Sequence, residues 1–399
     1  MLDIWPDLPI VITYNNDFFR AENIAAALER SDRVCAIDLW GDLTSLLSRC
    51  EAAIQKPFPA LLNLELESNT YRPSFLPDSF LGGSAPRLRS IRLCYIPFPG
   101  IRNLLSSTSD LVHLDLWDIT DWGYISPELM ITSLSSLAQL KTLRLGIRLW
   151  SCPESRHPSP PTHIVLLNLT QFCFKGVSEY LERLVAHIDA PLLRSTRITF
   201  LNELPFDISE LPQFIDRSEK FRSLNTTKAD LCISYTSVEL TLSSQPETET
   251  ADDIMLALRI PLTSSWPHPL PRAFDLSLRA FGLSLPPLAT SERLDICMEA
   301  YVHSSQLFHH DDPENSHWIN ILRPFTAVKM LCLYEAVSLR VVSALEEVAV
   351  AEGSAHNMLP ALQYIFLEGL QPTGPVQEAI RRLASARQLS GHPITIRRW

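Results

Sequence analysis

The residues best suited to chemistry are His309, His310, Asp311 and Asp312, with His317 close behind. Imidazoles and carboxylates at that density are what a metal-dependent hydrolase uses to hold an ion and activate water. The spacing argues otherwise. Two imidazoles aimed at one ion sit well at i and i+4 on a helix, whereas these are adjacent in a stretch holding Pro313 and Asn315. A solvated loop is expected there, with the hydrolase kept as a remote alternative. Cys152, His157 and His163, set among Pro153, Pro158, Pro160 and Pro161, read the same way, as an exposed insertion. Gly82-Gly83-Ser84 is not followed by the lysine of a phosphate-binding loop, so turn glycines are expected. No G-x-S-x-G elbow raises a serine as nucleophile. The eight cysteines form no C-x-x-C pair, and several lie in apolar runs where a thiol acts as a small hydrophobe. Neither an enzyme nor a metal or cofactor is expected, and reduced thiols suit a cytoplasmic or nuclear protein.

The elements that must position these residues come from a repeat. One pattern recurs: apolar, two variable residues, apolar, one variable, apolar. It appears at Val34, Ile37, Leu39; Leu61, Leu64, Leu66; Leu88, Ile91, Leu93; Leu111, Leu114, Leu116; Leu140, Leu143, Leu145; and Leu169, Phe172, Phe174. Successive first positions differ by 27, 27, 23, 29 and 29 residues, the period of a leucine-rich repeat. Helical periodicity fills 43–54, 101–107, 127–138 and 177–188 between them. Ser126-Pro127-Glu128 is a helix start, with a capping hydroxyl, proline at the first position and an acid in the first turn. A unit this small cannot bury its own strand and helix, so neighbours must stack.

The expected fold is therefore α/β: a curved leucine-rich-repeat-like solenoid, strands on the concave face and helices on the convex one. It is expected to run as one body over 1–399, with an N-terminal cap at 1–33 and regular repeats at 34–200. An irregular section follows at 201–300, with an exposed polar loop at 243–253, then C-terminal repeats and a cap at 301–399. In the irregular section Phe221 and Leu224 are expected to begin a degenerate copy, and 231–242 reads as two extended runs about Ser234-Tyr235-Thr236-Ser237. Residues 272–281 and 293–298 alternate like strands. Clean copies return at Val328, Leu331, Leu333 and at Leu362, Ile365, Leu367. Helices are expected at 339–350 and 376–389, the second stopped by Gly391, and a last strand at 393–397.

The pleat turns the repeat leucines inward and the residues between them outward. The central outward column holds Asp38, Glu65, Arg92, Asp115 and Arg144. The column before it holds Ala36, Asn63, Ser90, His113 and Thr142, and the one after it Trp40, Glu67, Cys94, Trp117 and Gly146. Asp38, Trp40, Glu65, Glu67, Arg92, His113, Asp115, Trp117 and Arg144 are the candidate protein-binding residues. Opposite charges within the central column are expected to pair across strands. Outward tryptophans are the residue type most enriched at binding hot spots. On that reading Trp117→Ala weakens partner capture and leaves stability nearly unchanged.

Composition narrows the partner. With 34 basic against 45 acidic residues and a formal charge of −11, the surface has the wrong sign for nucleic acid. No apolar run approaches the roughly 20 residues that span a bilayer, and the start carries no basic-then-apolar leader. A protein partner of unknown identity is expected.

The chain also resembles the F-box and leucine-rich-repeat proteins of mushroom-forming fungi. The resemblance rests on 33–40 (RVCAIDLW), 80–89 (FLGGSAPRLR), Asp118-Ile119-Thr120, 123–128 (GYISPE), 174–182 (FKGVSEYLE), 189–193 (DAPLL), 322–329 (LRPFTAVK) and 386–393 (ARQLSGHP). It implies a substrate-recognition region of an F-box-type ubiquitin ligase receptor. The F-box of that family, a helical module opening on a Leu-Pro motif, is not found in this chain; Leu8-Pro9-Ile10-Val11-Ile12 continues as an extended β-branched run. The ligase adaptor is thus expected as a partner only if an F-box lies upstream, and a stand-alone leucine-rich-repeat adaptor is the alternative.

Overall fold

The computed structural model describes residues 8–15, 21–69, 75–149, 163–201, 209–222, 228–234, 237–244, 255–261, 286–298, 315–350, 358–368 and 374–398. The chain divides into two compact units, Met1–Leu193 and Arg194–Trp399. Each combines helices with a largely parallel sheet.

In the first unit the repeat leucines dictate the sheet. Its strands are β1 (Ile10–Asn15), β2 (Val34–Gly41), β3 (Asn63–Ser68), β4 (Ser90–Cys94), β5 (His113–Ile119), β6 (Thr142–Ile147), β7 (Ile164–Val165), β8 (Gln171–Gly176) and β9 (Ile188–Asp189). They pair in parallel in the order β1-β2-β3-β4-β5-β6-β8, while β7 pairs with β9. From β2 to β8 the register aligns Ile37, Leu64, Ile91, Leu114, Leu143 and Phe172 in one row, and Leu39, Leu66, Leu93, Leu116, Leu145 and Phe174 in the next. Every one of these side chains is buried, so one face of the sheet is core. A one-residue slip would bring both rows to the surface, which is what fixes the register.

From the second copy onward, the first apolar residue closes the turn into its strand. Leu61, Leu88, Leu111, Leu140 and Leu169 each donate a backbone N–H to the carbonyl three residues earlier. The Leu8–Ile12 run continues as a strand, β1, on β2. Helices follow at Thr44–Arg49, Glu51–Ile54, Ile101–Ser106, Pro127–Leu134 and Ser178–Val185. The helix expected over 43–54 breaks at Cys50, and the one over 127–138 stops at Leu134, because Leu137 turns to accept from Leu140. Ser126 caps that helix, its Oγ accepting from the Leu129 N–H at 3.3 Å. Gly82 is a turn glycine at φ 60°, and a Cβ there would lie 2.8 Å from the Pro57 nitrogen.

The second unit contains β10 (Ser195–Phe200), β11 (Lys228–Ile233), β12 (Ser237–Ser243), β13 (Met255–Pro261), β14 (Arg293–Met298), β15 (Met330–Leu333), β16 (Tyr364–Leu367) and β17 (Thr395–Arg398). Their order is β10-β13-β12-β11-β14-β15-β16-β17. β12 runs antiparallel to both β11 and β13, and the other neighbours are parallel. The two extended runs of 231–242 thus form a hairpin, closed where Ser234 N–H donates to Ser237 O at 2.8 Å. The copy expected at Phe221 is misplaced: Phe221 lies buried in the helix Glu219–Arg222, and the inward alternation falls to Ala229, Leu231 and Ile233. Leu224 lies outside the described residues, as do 245–253, 272–281, Cys152, His157, and the His309 to Asp312 cluster. The helix expected from 339 already begins at Glu335, and the last helix, Pro375–Leu389, is followed by Gly391 at φ 83°. The final strand lies one or two residues later than expected. Among the described residues no helix is long and apolar enough to cross a membrane.

Candidate protein-binding face

The candidate residues meet on the face of the first unit's sheet opposite the leucines. Register places Asp38, Glu65, Arg92, Asp115, Arg144 and Cys173 side by side across β2, β3, β4, β5, β6 and β8. In the next column stand Trp40, Glu67, Cys94 and Trp117 on β2, β3, β4 and β5. Gly146 and Lys175 continue it on β6 and β8. His113 is exposed and aligns with Ser90 and Thr142 in the remaining column.

The central column is an ion-pair ladder. Arg92 Nη1 donates to Glu65 Oε1 at 2.6 Å and its Nη2 to Glu67 Oε2 at 3.3 Å. Arg144 Nη1 donates to Asp115 Oδ2 at 2.8 Å, while Arg92 Nε stands 3.8 Å from the same oxygen. Asp115 is the buried rung. Burial pushes its carboxyl above the usual range, and Arg144 and then Arg92 pull it partly back. For Arg92, burial opposes the charge, yet Glu65, Asp115 and Glu67 together hold its guanidinium above the ordinary value. Ion pairs with half-exposed partners add little net stability, so the ladder acts chiefly by fixing long side chains in one arrangement.

The two tryptophans have different surroundings. Trp117 is half-buried and lies against Gly146, where a Cβ would come within 2.9 Å of ring atoms Cδ2 and Cε3. Arg144 Cζ sits 4.9 Å and Lys175 Nζ 5.6 Å from its ring centroid. The register slips between Leu116 and Ile119, where Trp117 and Asp118 oppose Gly146 alone. This β-bulge puts Asp118 at φ 52° and turns its buried carboxylate to accept from Lys175 Nζ at 2.7 Å. Tyr95, at φ 58°, also bonds to Asp118, and its ring stacks under Arg148, with Cζ 5.8 Å away. Of these two, Trp40, at 40% exposure, is the one open to solvent.

Asp118, Lys175, Tyr95 and Arg148 were not nominated from sequence. Lys175 is one copy further along the tryptophan column and could have been read there. The bulge that aims Asp118 has no such signal.

Other clusters do not assemble chemistry. His163 Nδ1 lies 3.3 Å from Asp189 Oδ2 and its ring 6.0 Å from that of His187, beside β7 and β9. His317 falls in the helix Asn315–Leu322. No group of His, Cys, Asp and Glu among the described residues could hold a metal ion. Cys94 borders the ladder with its thiol pushed up to about 12 by burial and by Glu67, a protonated group rather than a nucleophile. On the second unit, Lys228 bridges Asp230 at 2.8 Å and Asp295 at 3.3 Å, and Arg293 closes on Asp295 at 2.8 Å, so these charges satisfy one another.

No protein-family model matches the chain, and no curated protein matches it. Among solved structures, the leucine-rich repeat-containing protein LegL7 from Legionella pneumophila is similar over 95% of this chain and 98% of its own, at 12% identity and a TM-score of 0.30. A likeness that distant transfers no site and no partner.

Proposed function

We propose that the chain is a non-enzymatic protein-interaction module that docks its partner on the open face of the Met1–Leu193 sheet. The carrying observation is the arrangement of the columns: a ladder of fixed charges leads to an accessible tryptophan, Trp40, on a regular sheet. Rigid elements with oriented polar groups and one exposed aromatic anchor are what recognition of a protein surface needs. The expected architecture, a curved leucine-rich-repeat solenoid with this face concave, suits the reading, since it would wrap the columns around a partner.

The family resemblance supports a finer role, substrate recognition within an F-box-type ubiquitin ligase receptor. The stand-alone adaptor is the second reading; the Leu8–Ile12 run pairs as a strand on β2 and so is part of the sheet in either case. The described cysteines carry thiols and not disulfides, which suits a cytoplasmic or nuclear setting. Quantitative affinity purification of the wild type beside a Trp40→Ala, Asp38→Ala variant tests the docking face. A partner captured by the first and lost by the equally stable second is expected; identical partner sets would refute the face. A ligase adaptor among the partners would select the receptor reading, and its consistent absence the adaptor reading.

A further inference from the structure

We infer that the partner sets a cationic side chain, guanidinium or ammonium, on the ring of Trp40, so that the face selects a basic protein segment. The inference rests on the docking face proposed above and adds the chemistry of its occupant. It comes from two tryptophans that share a column and differ in what surrounds them. Trp117 has its cations supplied from within: Arg144 from the central column of the next strand, Lys175 from its own column two strands on. Both lie within the roughly 6 Å over which a ring quadrupole attracts a cation.

The same two positions relative to Trp40 hold Glu65 on β3 and Cys94 on β4. The in-register neighbours of Trp40 are Asn15 and Glu67. No cation among the described residues lies over the Trp40 ring. The register sets Asp38, Glu65 and Glu67 around it, and among the described residues the guanidinium that pairs with these carboxylates, that of Arg92, is spent on bridging Glu65 and Glu67. An exposed π-face ringed by excess carboxylate attracts an incoming cation both through the ring and through the field of its rim. An acidic or neutral segment would gain neither. Net charge of −11 works in the same direction at longer range.

A library of short random linear peptides displayed on phage, panned on the full-length protein and counter-selected on Trp40→Ala, tests this. Enrichment of arginine or lysine is expected among the peptides that need Trp40. By calorimetry, such a peptide should bind the wild type about tenfold more tightly than Trp40→Ala, keep part of that affinity with Trp40→Phe, and weaken as salt is raised. Trp40-dependent peptides without basic enrichment would overturn the cationic occupant and leave the docking face standing. No Trp40-dependent peptide at all would overturn both. Trp40 is exposed, so unchanged thermal unfolding of Trp40→Ala keeps a folding defect from imitating either result.

Discussion

Gly146→Ala probes whether Trp117 is a packed element of the sheet or a side chain free to bind. The added Cβ would meet Trp117 Cδ2 and Cε3 at 2.9 Å and the backbone nitrogen of Asp118 at 2.9 Å. Ordinary carbon contacts lie near 3.5–4.0 Å, so about half an ångström of overlap must be relieved. The indole cannot swing away cheaply, being held by Arg144 and Lys175, and the Asp118 nitrogen belongs to the bulge itself. Overpacking of this kind costs about 2 kcal/mol, which in a unit of this size lowers Tm by roughly 4–8 °C. Differential scanning calorimetry measures the fall, and near-ultraviolet circular dichroism should show a changed tryptophan band. In Gly146→Ala, Trp117→Ala the two losses should be less than additive, by about 1 kcal/mol, with recovery limited because the Asp118 nitrogen stays in place. A Tm and dichroism signal indistinguishable from wild type would refute the reasoning: Trp117 would not lie on Gly146, and the sequence-based expectation that it is a stability-neutral hot spot would gain ground.

The buried rung of the ladder makes a pH prediction. Burial holds the Asp115 pKa above its unfolded value, so the stability it contributes is fully present below the unfolded pKa and is lost as pH rises through the folded one. Arg144→Ala removes the largest charge opposing that rise; it should cost about 1 kcal/mol near neutral pH, and the cost should shrink as acidification protonates Asp115 in chemical unfolding series. A penalty independent of pH would contradict the ladder. Ser126→Ala removes the helix cap at Leu129 and should cost about 1 kcal/mol in thermal unfolding, with Ser126→Asp near neutral; equal losses from both would contradict capping. Burial pushes both Cys94 and Cys332 up to about 12, so mass spectrometry after iodoacetamide treatment at neutral pH should find them alkylated far more slowly than in urea.

The fold was most legible where leucines carried it. Three apolar positions per copy located β2 to β6 and β8, because burial of one face leaves little choice of register. β10 and β14 carry the same strand but were not recognised as copies, since Thr196 and Ser291 occupy inward positions and are fully buried there. Threonine has the shape of valine, so the strand accepts it sterically even though the Thr196 hydroxyl finds no hydrogen-bond partner. Ser234 to Ser237 marked a break in 231–242, but nothing local said that β12 would reverse direction between β11 and β13. At the site, alternation alone assigned the outward columns and anticipated that their charges pair. The distinction between Trp40 and Trp117 was not readable, because it depends on a bulge at Asp118 and on the missing side chain of Gly146, both set by neighbouring strands.

The central claim, that the open face of the first unit receives a protein, is tested most directly by photo-crosslinking in cells. A benzoylphenylalanine placed in turn at Ala36, Asn63 and Ser90, on the same face but outside the tryptophan and charge columns, samples the face without removing its anchor, and one at Glu51 or Arg102 samples the exposed side of the helices. The account predicts the same discrete heavier adduct from the three face positions and none from the two helix positions. Adducts from the helix positions alone, or equal adducts from all five, would contradict it.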